Sequence, residues 1–219
     1  MASMDSPHAE HSTTAFNIGK RFRGFLPVVI DIETAGFNPL EHAILEISAV
    51  IIAMNQEGLL EIACQESFHI SPFQGSKLEQ SALDFTGIDP KREASLERDA
   101  LNSLFKTIRK EMKAYGCTRA ILVAHNSSFD QGFLKAAIER NNIKRSPFHP
   151  FSSFDTVSLA GLAFGQTVLA KACEAAHIQF DSAAAHSAHY DALKTAELFC
   201  LIVNKWQSAF GFEITAMTD

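Results

Sequence analysis

Asp31 and Glu33 stand one residue apart at the end of the apolar segment PVVIDIETAG, residues 27–36. In a β-strand, positions i and i+2 share a face, so both carboxylates point the same way with Ile32 opposite. Two ionised acids side by side at the end of a buried strand repel each other and lose hydration. A cation between them removes both penalties, which makes the pair a candidate metal site. Three further acids stand in suggestive settings. Asp130 follows AHNSSF in the first turn of a helix leaving a strand, Asp155 lies in FSSFDT, and Asp191 lies in HSAHYD, five residues after His186. One acid in a first helical turn is explained by the helix dipole alone, and Asp155 reads as a structural contact. Caps and turns give no reason for two acids on one strand face.

Carboxylates without a soft ligand suit Mg²⁺ or Mn²⁺ and disfavour zinc. Two such ions about 3.5–4 Å apart can activate a water, relieve charge at phosphorus and stabilise a leaving oxygen. Phosphodiester hydrolysis needs all three. Taken alone, His186 reads as a surface histidine; beside such ions an imidazole, which titrates near neutral pH, could take the proton of the attacking water.

The elements that must hold these groups follow from the periodicity. Apolar, β-rich runs at 26–32, 44–53 and 59–70, with a turn in MNQEGLL, suggest an antiparallel meander. A helical pattern over about 95–115 precedes a strand at 119–125, and SSFDQGFLKAAIERN then reads as a helix capped by Asn126 or Ser127. SSFDTVSLAGLAF begins extended near Phe154 and becomes helical, and GQTVLAKACEAAH and SAHYDALKTAELFCLIVNKWQ read as amphipathic helices. Three strands followed by alternating helices and strands give an α/β domain with a mixed sheet. Residues 1–20 read as a polar tail, and residues 21–219 as one domain.

At 219 residues and 47% apolar content the chain can bury an ample core. It has no apolar run of membrane-spanning length, and MASMDSPHAEHSTTAFNIGK, without a basic head and apolar stretch, is not expected to act as a secretory signal. Cys64, Cys117, Cys173 and Cys200 form no CxxC pair and read as reduced thiols of a cytoplasmic protein. The net charge of −6 argues against a polyanionic partner, but the basic residues are clustered. Arg21 and Arg23 flank Phe22; Lys106, Arg109, Lys110 and Lys113 fall within an arc of about 100° on one helix; Arg119, Lys144 and Arg145 follow. Three basic clusters, two with phenylalanines close by, fit nucleic acid.

DIET, AHNSSFD and HSAHYD, in this order, resemble the motifs of the DEDD exonucleases, in which the four acids would be Asp31, Glu33, Asp130 and Asp191. One branch has tyrosine four residues before the last acid, where this chain has Ser187; the other has histidine five before it, and here that is His186. The chain therefore resembles the DEDDh branch. RFRGFLPVVIDIETAGFNP, ALDFTGIDP, RAILVAHNSSFD, KRSPFHPFSSFDT and GQTVLAKACEAA extend the likeness from about residue 21 onward. The resemblance implies a ribonuclease-H-like fold, a mixed five-stranded sheet flanked by helices. It implies a 3′–5′ exoribonuclease that trims unpaired 3′ ends of structured RNAs (tRNA ends and the precursors of small stable and ribosomal RNAs). Single-stranded DNA ends would also be cut, and nucleoside 5′-monophosphates released. Two Mg²⁺ ions, replaceable by Mn²⁺, would be held by Asp31, Glu33 and Asp191, with His186 adjacent and Asp130 acting through water.

The chain has 18 phenylalanines against two tyrosines and one tryptophan, and four of them adjoin the motifs. By the resemblance, Phe37, Phe85, Phe129 and Phe151 would sandwich the terminal bases and bias the enzyme against C-rich ends. It also implies a homodimer, in which Arg21, Arg23, Lys113, Arg119, Lys144 and Arg145 of one subunit feed the site of the other. Two alternatives share these motifs: a DNA proofreading exonuclease subunit, disfavoured by the phenylalanines and RFRGF, and an inactive nucleic-acid-binding module, disfavoured by the intact acids and histidine.

Overall fold

The computed structural model describes residues 17–211. Its strands are β1 (Phe25–Thr34), β2 (Ile44–Met54), β3 (Leu60–Ser71), β4 (Ser95–Leu96), β5 (Arg119–Ala124) and β6 (Phe148–Asp155). Its helices are α1 (Ile18–Arg21), α2 (Gln80–Thr86), α3 (Glu97–Ala114), α4 (Ser127–Arg140), α5 (Thr156–Phe164), α6 (Leu169–Ala175) and α7 (Ala188–Phe210). One mixed sheet runs β4-β3-β2-β1-β5-β6. β1, β2 and β3 form the expected antiparallel meander, while β5 and β6 lie parallel to β1 and to each other. The sheet has six strands where five were expected. The sixth, β4, is a two-residue edge segment paired with the end of β3, too short to show a period in the sequence.

β1 is covered on both faces through Ile30 and alternates only at its end, where Asp31 and Glu33 are half-buried around buried Ile32. That change of pattern marks the point where the strand leaves the core. Opposite them on β2 stand Ser48 and Glu46. α7 covers this face: the Ala188 N–H donates to Glu46, and Gln65 bridges Ser48 and the His189 carbonyl. α3 packs the other face, with Leu104 and Ile108 beside Ala49 and Ile51. The continuous core between helices and sheet includes the fully buried rings of Phe105, Phe133 and Phe199. Ile18 is 1% exposed and belongs to this core, so packing reaches back into the segment expected to be a tail. Residues 1–16 of that segment lie outside the described residues.

Two local expectations need correction. Asn126 occupies the N-cap of α4 in a left-handed conformation, and its side chain makes no capping bond. The Asp155 carboxylate does that work from the end of β6, accepting from the N–H groups of Asn126 and Ser127 at 3.3 and 3.1 Å and from Val157 at 2.9 Å. Helix α6 is shorter than the expected GQTVLAKACEAAH. The apolar stretch Thr156–Ala175 is broken at Gly165, whose φ of 67° ends α5, so its two helices of 9 and 7 residues are each too short to cross a bilayer.

Phe199 carries α7 onto the sheet through ring contacts with Phe22 and Phe154, at 6.4 and 5.5 Å between centroids. Phe199→Ala is expected to destabilise the protein by about 3–5 kcal/mol through the cavity left behind. Urea denaturation of the variant against the wild type measures this directly.

Candidate active site

Three elements converge at the end of β1. The strand itself supplies Asp31 and Glu33, the first turn of α4 supplies Asp130, and the first turn of α7 supplies Asp191. Asp31, Glu33 and Asp191 each offer one carboxylate oxygen, and these three atoms lie within 4.8 Å of one another. Asp130 is buried beside them, near enough to Asp31 to raise its pKa. No arginine or lysine forms an ion pair with any of the four among the described residues.

The electrostatic consequence is large. Burial pushes the Asp31 carboxyl well above the usual carboxylate range, and the charges of Asp130, Glu33, Asp191 and Glu46 push it further. Glu33 is raised from 4.5 to about 7 by burial and then by Asp191 and Glu46. Asp130 is raised by burial, opposed in part by its own backbone amide and that of Ile32. Asp191 is raised by burial, and both the backbone N–H and the charge of His186 oppose the rise. Its Oδ2 accepts the His186 N–H at 2.9 Å, while its buried Oδ1 has no hydrogen-bond partner. An orphaned carboxylate oxygen on an acid grouped with two others fits a divalent cation, whose charge would reverse each of these shifts.

His186 holds a left-handed backbone, φ 66°, just before α7, and its ring is exposed. Phe85 meets that ring with centroids 4.2 Å apart. Phe37 and Phe85, 78% and 65% exposed, line a cleft of about 320 Å³ with Phe129, Glu33, Thr34 and Gly36. Three of the four singled-out phenylalanines are thus brought together beside the acids. Phe151 is not among them: it is 86% exposed and lines a separate groove against α4 with His149 and Lys135.

The basic residues gather elsewhere. Phe25 pairs with Arg119 where β1 and β5 begin, and Arg23 lies over the Phe25 ring at 5.4 Å. Arg109 on α3 donates to the Arg145 carbonyl, next to Lys144, and Arg21 stacks on Phe22 at 5.0 Å. Lys113 is exposed in the last turn of α3. At about 3.3 Å per residue, the start of β1 lies about 20 Å from Asp31.

Sequence reading passed over Glu46, which is buried and lies across from Glu33. Its Oε1 meets Arg92 at 2.9 Å and His69 at 3.3 Å, and its Oε2 accepts the Ala188 N–H at 3.1 Å, fixing the start of α7 beside His186. The available signal was a glutamate inside the otherwise apolar run AILEISAVIIA.

In the metal-free protein, Glu33 keeps its proton when folded between pH 4.5 and about 7, whereas the unfolded chain loses it. Stability is therefore expected to fall as pH rises through that window, by on the order of 2–3 kcal/mol. Asp31→Asn replaces the most crowded acid of the cluster with a neutral side chain of the same size. In EDTA at neutral pH it is expected to raise Tm by about 5 °C and to abolish the stabilisation that Mg²⁺ gives the wild type. Thermal melts with and without Mg²⁺ check both statements.

The RNase_T exonuclease family model matches residues 28–199. Ribonuclease T of Hahella chejuensis is 59% identical over 198 residues, covering 89% of this chain and 91% of that one. Ribonuclease T of Vibrio parahaemolyticus is 55% identical over 204 residues, covering 91% and 95%. Among solved structures, Escherichia coli exonuclease I in complex with a dT13 oligonucleotide superposes with a TM-score of 0.64 at 18% identity, over 85% of this chain and 42% of that one. A 3′-exonuclease solved for 3′-end recognition of a histone mRNA stem-loop gives 0.63 at 18% identity, over 82% and 64%. These two share the fold, and this chain spans less than two thirds of either molecule's length. The cluster of carboxylates, the cleft beside it and the extent of the sequence match agree: the chain belongs to the ribonuclease T family of exonucleases.

Proposed function

We propose that this protein is a single-domain 3′–5′ exoribonuclease that removes nucleotides from unpaired 3′ ends and releases nucleoside 5′-monophosphates. The observation that carries this reading is the meeting of three carboxylate oxygens within 4.8 Å at the rim of a phenylalanine-lined cleft. The ribonuclease T relatives support RNA as substrate, and a neighbour of the same fold solved with dT13 supports single-stranded DNA as a second one. The tRNA ends and the precursors of small stable and ribosomal RNAs, whose last nucleotides are unpaired, are the substrates in view. Four cysteines, all free, suit a reducing compartment, the cytoplasm.

Asp31, Glu33 and Asp191 would hold two Mg²⁺ ions, with Mn²⁺ as a substitute, and Asp130 would support them from the buried side. Bound there, the ions supply charge relief at phosphorus and at the leaving 3′ oxygen. The chain's own groups do the rest. His186 takes the proton of the attacking water; its backbone N–H is held by Asp191 and its ring rests against Phe85 beside the cleft. Phe37, Phe85 and Phe129 stack on terminal bases, worth about 1–3 kcal/mol per base. Phe151 would extend the aromatic track along α4.

Arg119 stands beside Phe25 at the start of β1, about 20 Å along the strand from Asp31, and Arg21, Arg23, Lys113, Lys144 and Arg145 would form one basic surface with it. A homodimer that sets this surface against the partner's acids gives them a task, and phosphate contacts would make binding salt-dependent.

Digestion of a 3′-labelled tRNA and of a mispaired DNA primer, each with Mg²⁺ or EDTA, tests the reading. The expected result is Mg²⁺-dependent mononucleotide release, faster from the tRNA. His186→Ala should lower kcat by about 10²–10⁴-fold at unchanged substrate affinity. No Mg²⁺-dependent release, or preference for the primer, would overturn it. Sedimentation should show a dimer, and a monomer with full activity on structured RNA would remove the proposed role of the basic surface.

A further inference from the structure

We propose that His42 and Glu79 form a strut that fixes the separation of the two aromatic walls of the cleft, and so sets which terminal base it accepts. The proposal rests on the cleft being a base-binding site. Phe37 and Phe85 belong to segments far apart in the chain, the loop after β1 and helix α2. That helix buries no side chain completely. Leu83 attaches it to a small cluster of Ala35, Ala43, Leu45 and Ile88, and polar bonds must supply the rest.

His42 supplies the central one. It is 5% exposed, and both ring nitrogens are used: Nδ1 accepts the Asn38 N–H at 2.9 Å, and Nε2 donates to Glu79 Oε1 at 3.0 Å. The acceptor role of Nδ1 places the ring's proton on Nε2, toward Glu79. The ring also lies flat against Gly36, where an added Cβ would come within 2.6 Å of it. One face of His42 thus seats the residue before Phe37, and its edge holds Glu79, the N-cap residue of the helix that carries Phe85. Backbone bonds reinforce the joint: the Glu79 N–H donates to the Ala35 carbonyl and the Lys77 N–H to that of Glu41, both at 2.8 Å. The exposed Lys77–Glu41 ion pair adds little. Phe85 follows Glu79 by less than two helical turns, so a tilt at the cap displaces its ring relative to Phe37 and to His186. A base that fits the present gap loses contact when the strut is cut, and the discrimination between bases falls with it.

The test uses single-stranded oligoribonucleotides that differ only in the 3′-terminal base, adenine or cytosine. Glu79→Ala and His42→Phe should raise KM for the adenine-ended substrate about fivefold, the net worth of one ordinary hydrogen bond. They should also narrow the adenine-to-cytosine ratio of kcat/KM, with kcat at saturation within about twofold of wild type. Glu79→Gln keeps an oxygen acceptor and should restore both KM and the ratio. Phe85→Ala, measured in parallel, reports on the cleft itself. If Phe85→Ala changes KM and base ratio while Glu79→Ala changes only Tm, the strut is refuted and the base-binding cleft stands. If neither variant changes them, the cleft reading fails together with the strut.

Discussion

Four carboxylates forced together at the edge of a hydrophobic core are the constraint on which the rest of this structure depends. Left as anions, Asp31, Glu33, Asp130 and Asp191 repel one another in a place where water screens them poorly. The metal-free protein answers by retaining protons, as the elevated Glu33 shows. The core therefore has to be strong enough to tolerate the cluster. It does so by threading a strand buried on both faces, β1, between α3 on one side and α7 on the other. Affinity for divalent cations is stored in that repulsion.

Holding the acids in register requires anchors from other parts of the chain, and each anchor is a buried or half-buried polar group with several hydrogen bonds or ion pairs. Glu46 ties the start of α7 to β2 and is itself held by Arg92 and His69. Asp155 joins the ends of β5 and β6 by capping α4 and α5 together, which fixes the turn that presents Phe129 and Asp130. His42 does the same for the cleft. Losing one partner of such a group costs more than the bond itself, because the other is left buried and unpaired. The chemistry at the surface thus rests on polar joints beneath it.

Much of this was legible in the sequence, for identifiable reasons. The D-x-E pair stands out because strand periodicity places two acids on one face, and β1 and β2 stand out as continuous apolar, β-branched runs. Asp130 and Asp191 emerged only through the motifs around them, since a single acid in a first helical turn looks like a dipole complement. Helix α2 left no trace: it is seven residues long, buries none of them fully and has no side-chain cap. The true caps of α4 and α7 come from residues 29 and 142 positions away along the chain, which no local window can see. The gathering of Phe37 and Phe85 around one cleft, with Phe151 apart from it, is likewise a product of tertiary placement.

The central claim is that the carboxylate cluster keeps protons without metal and gives them up when a divalent cation binds. Calorimetric titration of the metal-free protein with Mg²⁺, at about pH 6.5 in two buffers of different ionisation enthalpy, counts those protons. The account expects about one proton or more released per protein, with the release lost or sharply reduced in Asp31→Asn. Equal heats in the two buffers, or proton release that survives Asp31→Asn unchanged, would contradict it.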